Sequence, residues 1–201
     1  MFAAELSDAA ACRTLIDQVH ERFSRLDILV NNAGMNRRKP IEQVTDEDFE
    51  LIMASNLRSA YVLSQAAQPL MKRQGGGKII HIGSITSNYG LGEVSVYGMT
   101  KSALAHVTQT MAVEWAKDNI QVNCLAPGFI VTPLTDKSVW QDPQKRQWLE
   151  ARIPARRPGQ PEDLGGTLLL LASSASDYLT GQLITVDGGF LAGGWWTSDT
   201  P

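Results

Sequence analysis

The chain has 201 residues, the size of one globular domain and too few for two comfortable ones. At 43% hydrophobic, 19% charged and a formal charge of −3, it is no disordered, collagen-like or disulfide-scaffold chain, and it offers no basic surface for nucleic acid. The longest aliphatic stretch, Leu168–Ala172, is far short of the roughly 18 residues of a membrane span, and the residues before Arg13 carry Glu5 and Asp8 but no cation, unlike a secretory signal.

In chain order, Asp8–Phe23 predicts a helix and Leu26–Asn31 (LDILVN) a buried strand. Thr45, followed by Asp48, predicts a capped helix start; Phe49, Ile52, Met53, Leu57, Ala60, Leu63, Ala67 and Leu70 then recur at helical spacing until Gly75-Gly76-Gly77. Lys78–Ile82 predicts a second strand, Val96–Lys117 a long helix, and Ile120–Leu125 a third strand. Asp136–Pro158 reads as an irregular, lid-like segment. Pro161–Ala172 predicts a helix and Leu183–Val186 the last strand; the tail from Gly189 to Pro201, with Trp195 and Trp196, is assigned no element. Strands alternating with helices make a single α/β domain over residues 1–201, built on a parallel sheet. Cys12 and Cys124 lie among apolar neighbours, as buried thiols in a reducing compartment do, and no metal site is expected. The expected location is the cytoplasm.

In an open parallel sheet ligands bind beyond the carboxyl ends of the strands. Small and polar residues stand at each such end: Asn31-Asn32-Ala33-Gly34, Gly83-Ser84, Pro127-Gly128 with Thr132, and Asp187-Gly188-Gly189. Tyr97 and Lys101 are four apart on a predicted helix and share one face. An ammonium beside a phenol lowers its pKa and makes a proton donor and acceptor for near-neutral pH. An exposed Tyr–Lys neighbour pair is the plain alternative. Asn56 falls inside a helix, where asparagine is a poor choice, and asks for a reason; a satisfied buried amide is the plain one.

Taken together, Asn31-Asn32-Ala33-Gly34, Asn56, Ser84, Tyr97-x-x-x-Lys101, Pro127-Gly128-x-x-x-Thr132 and Val186-Asp187-Gly188-Gly189 resemble the short-chain dehydrogenase/reductase family over about Glu5 to Leu191. The resemblance implies a Rossmann-like doubly wound sheet and an NAD- or NADP-dependent oxidoreductase that interconverts a secondary alcohol and a ketone. It implies Tyr97 as general acid/base, Lys101 as its pKa-lowering partner and ribose ligand, Ser84 as holder of the substrate oxygen, and Asn56 as anchor of a relay water. It places Asn31, Ala33 and Gly34 on the adenosine side, and Pro127, Gly128, Ile130 and Thr132 at the nicotinamide end. Asp187, Gly188 and Asn123 read as structural, and His81 as a packed or partly exposed side chain rather than a ligand. Asn36-Arg37-Arg38-Lys39-Pro40 resembles gluconate 5-dehydrogenase-like members, and three successive cations suit a sugar-acid carboxylate. A solvated basic loop is the equal alternative.

Apolar residues on more than one face of the helix over Val96–Lys117, among them Ala103, Leu104, Val107, Met111 and Trp115, predict a homodimer or homotetramer. The family opens with a strand, a Gly-rich turn and a phosphate-cradling helix, yet no G-x-x-x-G-x-G pattern occurs in the 201 residues. The chain is therefore expected to lack the first two strands and helices, to begin at a third strand near Ala4–Ser7, and to leave Leu26–Asn31 as an open edge. Met1 is expected to be an internal methionine; failing that, the isolated chain binds nucleotide poorly and completes its sheet through a partner. Two other functions use the same residues: a cofactor-free hydrolase with Ser84 as nucleophile supported by Tyr97 and Lys101, and an inactive, interaction-only fold.

Overall fold

The computed structural model describes residues 1–135 and 139–194; Asp136, where the lid-like segment was expected to start, and Trp195 and Trp196 of the tail lie outside them. Among the described residues four strands form one sheet: β1 (Ile28–Asn31), β2 (Gly77–Ile82), β3 (Ile120–Pro127) and β4 (Leu183–Val186). They lie side by side in chain order, every neighbouring pair parallel, with Val30 opposite Ile80, Ile80 opposite Asn123 and Leu125 opposite Ile184. The helices between them are α1 (Ala9–Phe23), α2 (Asp46–Met53), α3 (Ser59–Arg73), α4 (Ser95–Trp115), the single turn α5 (Pro133–Thr135), α6 (Pro143–Arg152) and α7 (Gly165–Ala172).

Side chains alternate across the sheet, so β2 and β3 bury both faces. Ile79, Ile120 and Val122 pack with Cys12 and Ile16 of α1, Val62, Ala67 and Met71 of α3, and Met111 of α4. Ile80 and Leu125 point the other way, onto Leu171 of α7. Both cysteines are free and buried, as their apolar neighbours indicated.

The predicted helix starts are real caps. Asp8 accepts the Ala10 N–H at 2.8 Å, and Thr45 and Asp48 form a reciprocal capping box at α2. At the end of α3 the chain reverses through Gly75 (φ 93°) and Gly76 (φ 143°), where an added Cβ would fall 2.6 Å from the Asn119 carbonyl oxygen. The helix expected to run unbroken from Thr45 to Leu70 is interrupted: Ala54–Arg58 is a π-helical segment with Asn56 inside it. Such bulges frequently mark functional sites, because the extra residue re-aims a side chain.

Three expectations are corrected. Ala4–Ser7 forms no strand but a turn, with the Asp8 N–H donating to the Glu5 carbonyl at 3.1 Å; a strand needs a neighbouring ladder, and among the described residues none lies beside it. The stretch read as irregular contains α6, nucleated by Asp142, whose carboxylate accepts from the Gln144 and Lys145 N–H groups, with Pro143 in the first turn. The α4 stripe expected to meet a second chain packs on the molecule's own core: Leu104 and Met111 are buried, and Val107 and Trp115 lie against the α1–α3 cluster. The open edge is present, since β1 pairs with β2 alone among the described residues and leaves Ile28 and Val30 about 40% exposed.

His81 of β2 is wholly buried between α3 and α4, with Nδ1 2.8 Å from the Thr108 hydroxyl and Nε2 3.2 Å from that of Ser64. Asn31 joins from β1, its Nδ2 donating to Ser64 at 3.0 Å. Burial first, and the Lys101 charge second, push the His81 pKa down to about 4 from 6.5. The unfolded chain therefore binds the proton more readily between these values, and the native state loses stability as pH falls from 6.5 toward 4. The expected slope from this group is about 1.4 kcal/mol per pH unit at most. Urea unfolding at pH 7 and pH 4.5 measures it, and His81→Asn should show a visibly smaller acid loss than the parent.

Candidate active site

The carboxyl ends of the strands converge as the sheet requires. Beyond β1, Asn32, Ala33 and Gly34 are exposed backbone. Beyond β2, Gly83 allows close passage to β3, because a Cβ there would lie 2.6 Å from Cys124 Sγ. Ser84 follows in extended conformation and caps a short turn, Ile85–Ser87, with its Oγ accepting the Thr86 N–H at 3.1 Å.

Tyr97 lies in the first turn of α4 and Lys101 one turn later. The Lys101 ammonium is buried and donates to the Ile82 carbonyl at 2.6 Å, with Nζ 5.5 Å from the centre of the Tyr97 ring. Burial pushes its pKa down to about 8. Burial also pushes the Tyr97 phenol up, opposed by the Ser84 hydroxyl and the Arg38 charge. The sequence-based expectation was a phenol lowered by Lys101. Here the ammonium is turned to a backbone carbonyl, and the groups that ease Tyr97 ionisation are Ser84 and Arg38.

Asn56 is 1% exposed and fully engaged. Its Nδ2 donates to the Met35 carbonyl at 2.8 Å and to the Thr100 hydroxyl at 3.3 Å, and its Oδ1 accepts the Met35 N–H at 2.8 Å. The side chain thus clamps the loop after β1 onto α4, which is the plain reading of a satisfied buried amide. Asp187 and Asn123 are structural as expected: Asp187 accepts from the Gly189 and Leu191 N–H groups, and Asn123 bonds Leu179 and Gln182.

A cavity of about 280 Å³ opens in front of Tyr97, with Ser84, Thr86, Asn36, Arg38, Gly128 and Phe129 among its walls. The basic run beside it is not three free cations. Arg37 and Lys39 both bind the buried Asp48 carboxylate, at 2.8 and 2.5 Å, and hold its pKa far below the usual carboxylate range. Arg38 alone of the three lines the cavity. Sequence reasoning quoted Asn36 only as part of the run Asn36–Pro40 and missed Thr86 and Phe129. No pattern marks them, although Asp48, already placed as a capping residue, signalled that some of the cations had a partner.

The expected nucleotide-binding residues divide. Gly34 lies against the Asn56 amide and the Lys101 ammonium, with room for a Cβ 3.7 Å from Nζ. Gly128 donates to the Val186 carbonyl, and a Cβ there would strike Asp187 at 2.7 Å, so backbone alone forms that wall. Asn31 has a buried Oδ1 without a partner. Ile130 packs beside Gly159, and Thr132 is bonded to Thr135. A buried ammonium amid close-set backbone suits the ribose and nicotinamide half of a dinucleotide. The glycine-rich turn that would cradle its pyrophosphate is not among the 201 residues.

A family model described as enoyl-(acyl carrier protein) reductase matches residues 1–191. A tropinone reductase homolog from Arabidopsis thaliana is 43% identical over 90% of this chain and 69% of its own length. The 2-dehydro-3-deoxy-D-gluconate 5-dehydrogenase of Escherichia coli is 44% identical over 94% of this chain and 75% of its own. The crystal structure of a gluconate 5-dehydrogenase from Burkholderia cenocepacia, in complex with NADP and tartrate, superimposes with a TM-score of 0.90 at 38% identity, over 93% of this chain and 73% of that one.

The Asn56 clamp makes a direct prediction. Asn56→Leu strands the Met35 N–H and carbonyl, and each buried backbone group left unpaired costs about 1–3 kcal/mol. Chemical denaturation should record a destabilisation of about 2–4 kcal/mol, whereas an amide of no consequence would leave the midpoint unmoved.

Proposed function

The chain belongs to the short-chain dehydrogenase/reductase family, and from that premise we propose that it interconverts a hydroxyl and a ketone on a sugar acid with NAD or NADP, Tyr97 handling the proton. The observation that carries this reading is the convergence of Ser84, Tyr97 and Arg38 on one cavity, with Lys101 buried behind Tyr97. A bound nicotinamide dinucleotide supplies the hydride acceptor or donor. Tyr97, Lys101, Pro127, Gly128, Ile130 and Thr132 would hold its ribose and nicotinamide part, and Asn31, Ala33 and Gly34 would line its adenosine side. Tyr97 gives its phenolic proton to the ketone oxygen in reduction and removes the hydroxyl proton in oxidation. The Ser84 hydroxyl, which accepts from the Thr86 N–H, donates its hydrogen to the same substrate oxygen. Lys101 keeps a positive charge behind the phenol below its own pKa of about 8, and Asn56 holds the loop that passes over it.

Arg38 is the group that suits an acid, because a guanidinium binds a carboxylate in a two-pronged fork. The E. coli relative and the B. cenocepacia structure are both named for gluconate-type acids, which agrees with a cation at this wall. The hydrolase alternative for Ser84 has no counterpart among these relatives.

We further propose a cytoplasmic homo-oligomer. Two free buried cysteines suit a reducing compartment. Val113 of α4 and Leu169 of α7 are 81% and 72% exposed, and Leu170 is partly so; apolar side chains on helix faces are what a second subunit would cover. No helix is long and apolar enough to cross a membrane among the described residues.

Nicotinamide absorbance with gluconate and NADP should show turnover, rising with pH in the oxidation direction as the raised Tyr97 phenol ionises. Tyr97→Phe should lower kcat by about 10²–10⁴-fold. Arg38→Ala should raise KM for gluconate by about ten- to a hundredfold, with a much smaller effect on neutral sorbitol; Arg37→Ala, tied to Asp48, should do neither. Well-folded protein without NAD(P)-dependent turnover of acids or polyols, or a Tyr97→Phe variant as fast as the parent, would overturn the assignment.

A further inference from the structure

Two residues that line the Ser84–Tyr97 cavity each carry a buried polar atom without a hydrogen-bond partner: the side-chain carbonyl oxygen of Asn36 and the hydroxyl of Thr86. Several of their polar neighbours are engaged within the protein. Ser84 accepts from the Thr86 N–H, Ser87 donates to the Lys101 carbonyl at 2.9 Å, Thr100 donates to the Tyr97 carbonyl at 2.7 Å, and Asn56 is saturated by Met35 and Thr100. Folded proteins leave few buried polar atoms unsatisfied, because each loses its hydration without compensation. Two such atoms on one cavity that also holds the candidate acid/base are the mark of a surface shaped for a polar ligand.

We propose that Asn36 and Thr86 are specificity-determining residues that read the hydroxyls flanking the reacting carbon of a polyhydroxylated acid; this rests on the dehydrogenase reading above and names what its substrate must carry. The donor and acceptor inventory selects the ligand. Asn36 Oδ1 only accepts, so neither a ketone oxygen nor a carboxylate satisfies it; an O–H does. Thr86 Oγ1 accepts or donates and pairs with a second hydroxyl. The chain geometry divides the labour. Thr86 sits two residues past Ser84 on one short turn, with its N–H on the Ser84 oxygen. Asn36 sits two residues before Arg38 on the loop after β1. Thr86 is therefore next to the group that holds the reacting oxygen, and Asn36 next to the cation that suits the carboxylate, on one cavity. A site built to hydrogen-bond a hydroxyl discriminates strongly against an analogue without it, because its own polar groups are then left bare.

The test compares gluconate with 5-hydroxyhexanoate, an acid of the same length with a single hydroxyl, on the parent, Thr86→Val and Asn36→Leu. The parent should favour gluconate by at least about a hundredfold in kcat/KM, and each variant should reduce that ratio by at least about tenfold. A purely structural role would lower both substrates in parallel and leave the ratio standing, which would overturn the proposal. Calorimetric binding of the two acids needs no turnover and separates this proposal from the catalytic one. If gluconate binds more tightly and Thr86→Val erases the difference, the pair stands even where no NADPH forms. Equal binding of the two acids to the parent, or no binding of either, removes it.

Discussion

The buried Lys101 ammonium is the constraint around which the rest is arranged. A cation taken out of water must be given partners, or it loses its charge. Its partner is the carbonyl of Ile82, the last residue of β2, at 2.6 Å. That bond ties α4 to the carboxyl end of the central sheet. It sets Tyr97, one turn earlier, over the cavity, and leaves Ser84 two residues beyond the tie. Gly34 passes where a larger residue would approach the ammonium, and Gly83 lets β2 close on Cys124. Gly83 and Gly128 are thus consequences of what they must pass, rather than loose turn formers.

A second polar system crosses the same layer. Asn31, Ser64, His81 and Thr108 link β1, α3, β2 and α4 through side-chain hydrogen bonds. The Ser64 and Thr108 hydroxyls also donate to the Ala60 and Leu104 carbonyls of their own helices. A neutral imidazole has one N–H and one acceptor, so one of those hydroxyls must turn from its helix to the ring. Such an arrangement is strong only while complete, which makes the interior of this protein sensitive to acid and intolerant of register errors between sheet and helices. The apolar clusters on either side supply the bulk of the burial, while the polar chain specifies which helix face meets which strand.

Much of the fold was readable because its signals are local. Asp8 and Thr45 cap helices through neighbouring N–H groups, and the run Ile79–Ile82 can only be a strand buried on both faces. The misreadings have equally local reasons. Asp142-Pro143 is a helix start hidden among charged residues whose helix, α6, buries only Leu149. Ala4–Ser7 has strand-like residues but no ladder to join. The π-helical step at Ala54–Arg58 leaves no trace in apolar spacing, yet it turns Asn56 onto Met35 and Thr100.

Residue order was enough for most of the helices and strands and for the parallel sheet, since caps and periodicity act within a few residues; four-residue spacing paired Tyr97 with Lys101, and the family resemblance added the roles of Ser84 and Asn56. The partners of those side chains belong to the three-dimensional arrangement. Lys101 faces Ile82 rather than the Tyr97 oxygen, Asp48 claims Arg37 and Lys39 while Arg38 is left to the cavity, and Asn36 and Thr86 both line it. Each of these depends on which groups burial brings together from distant parts of the chain, and burial, by removing water, decides which charges must pair.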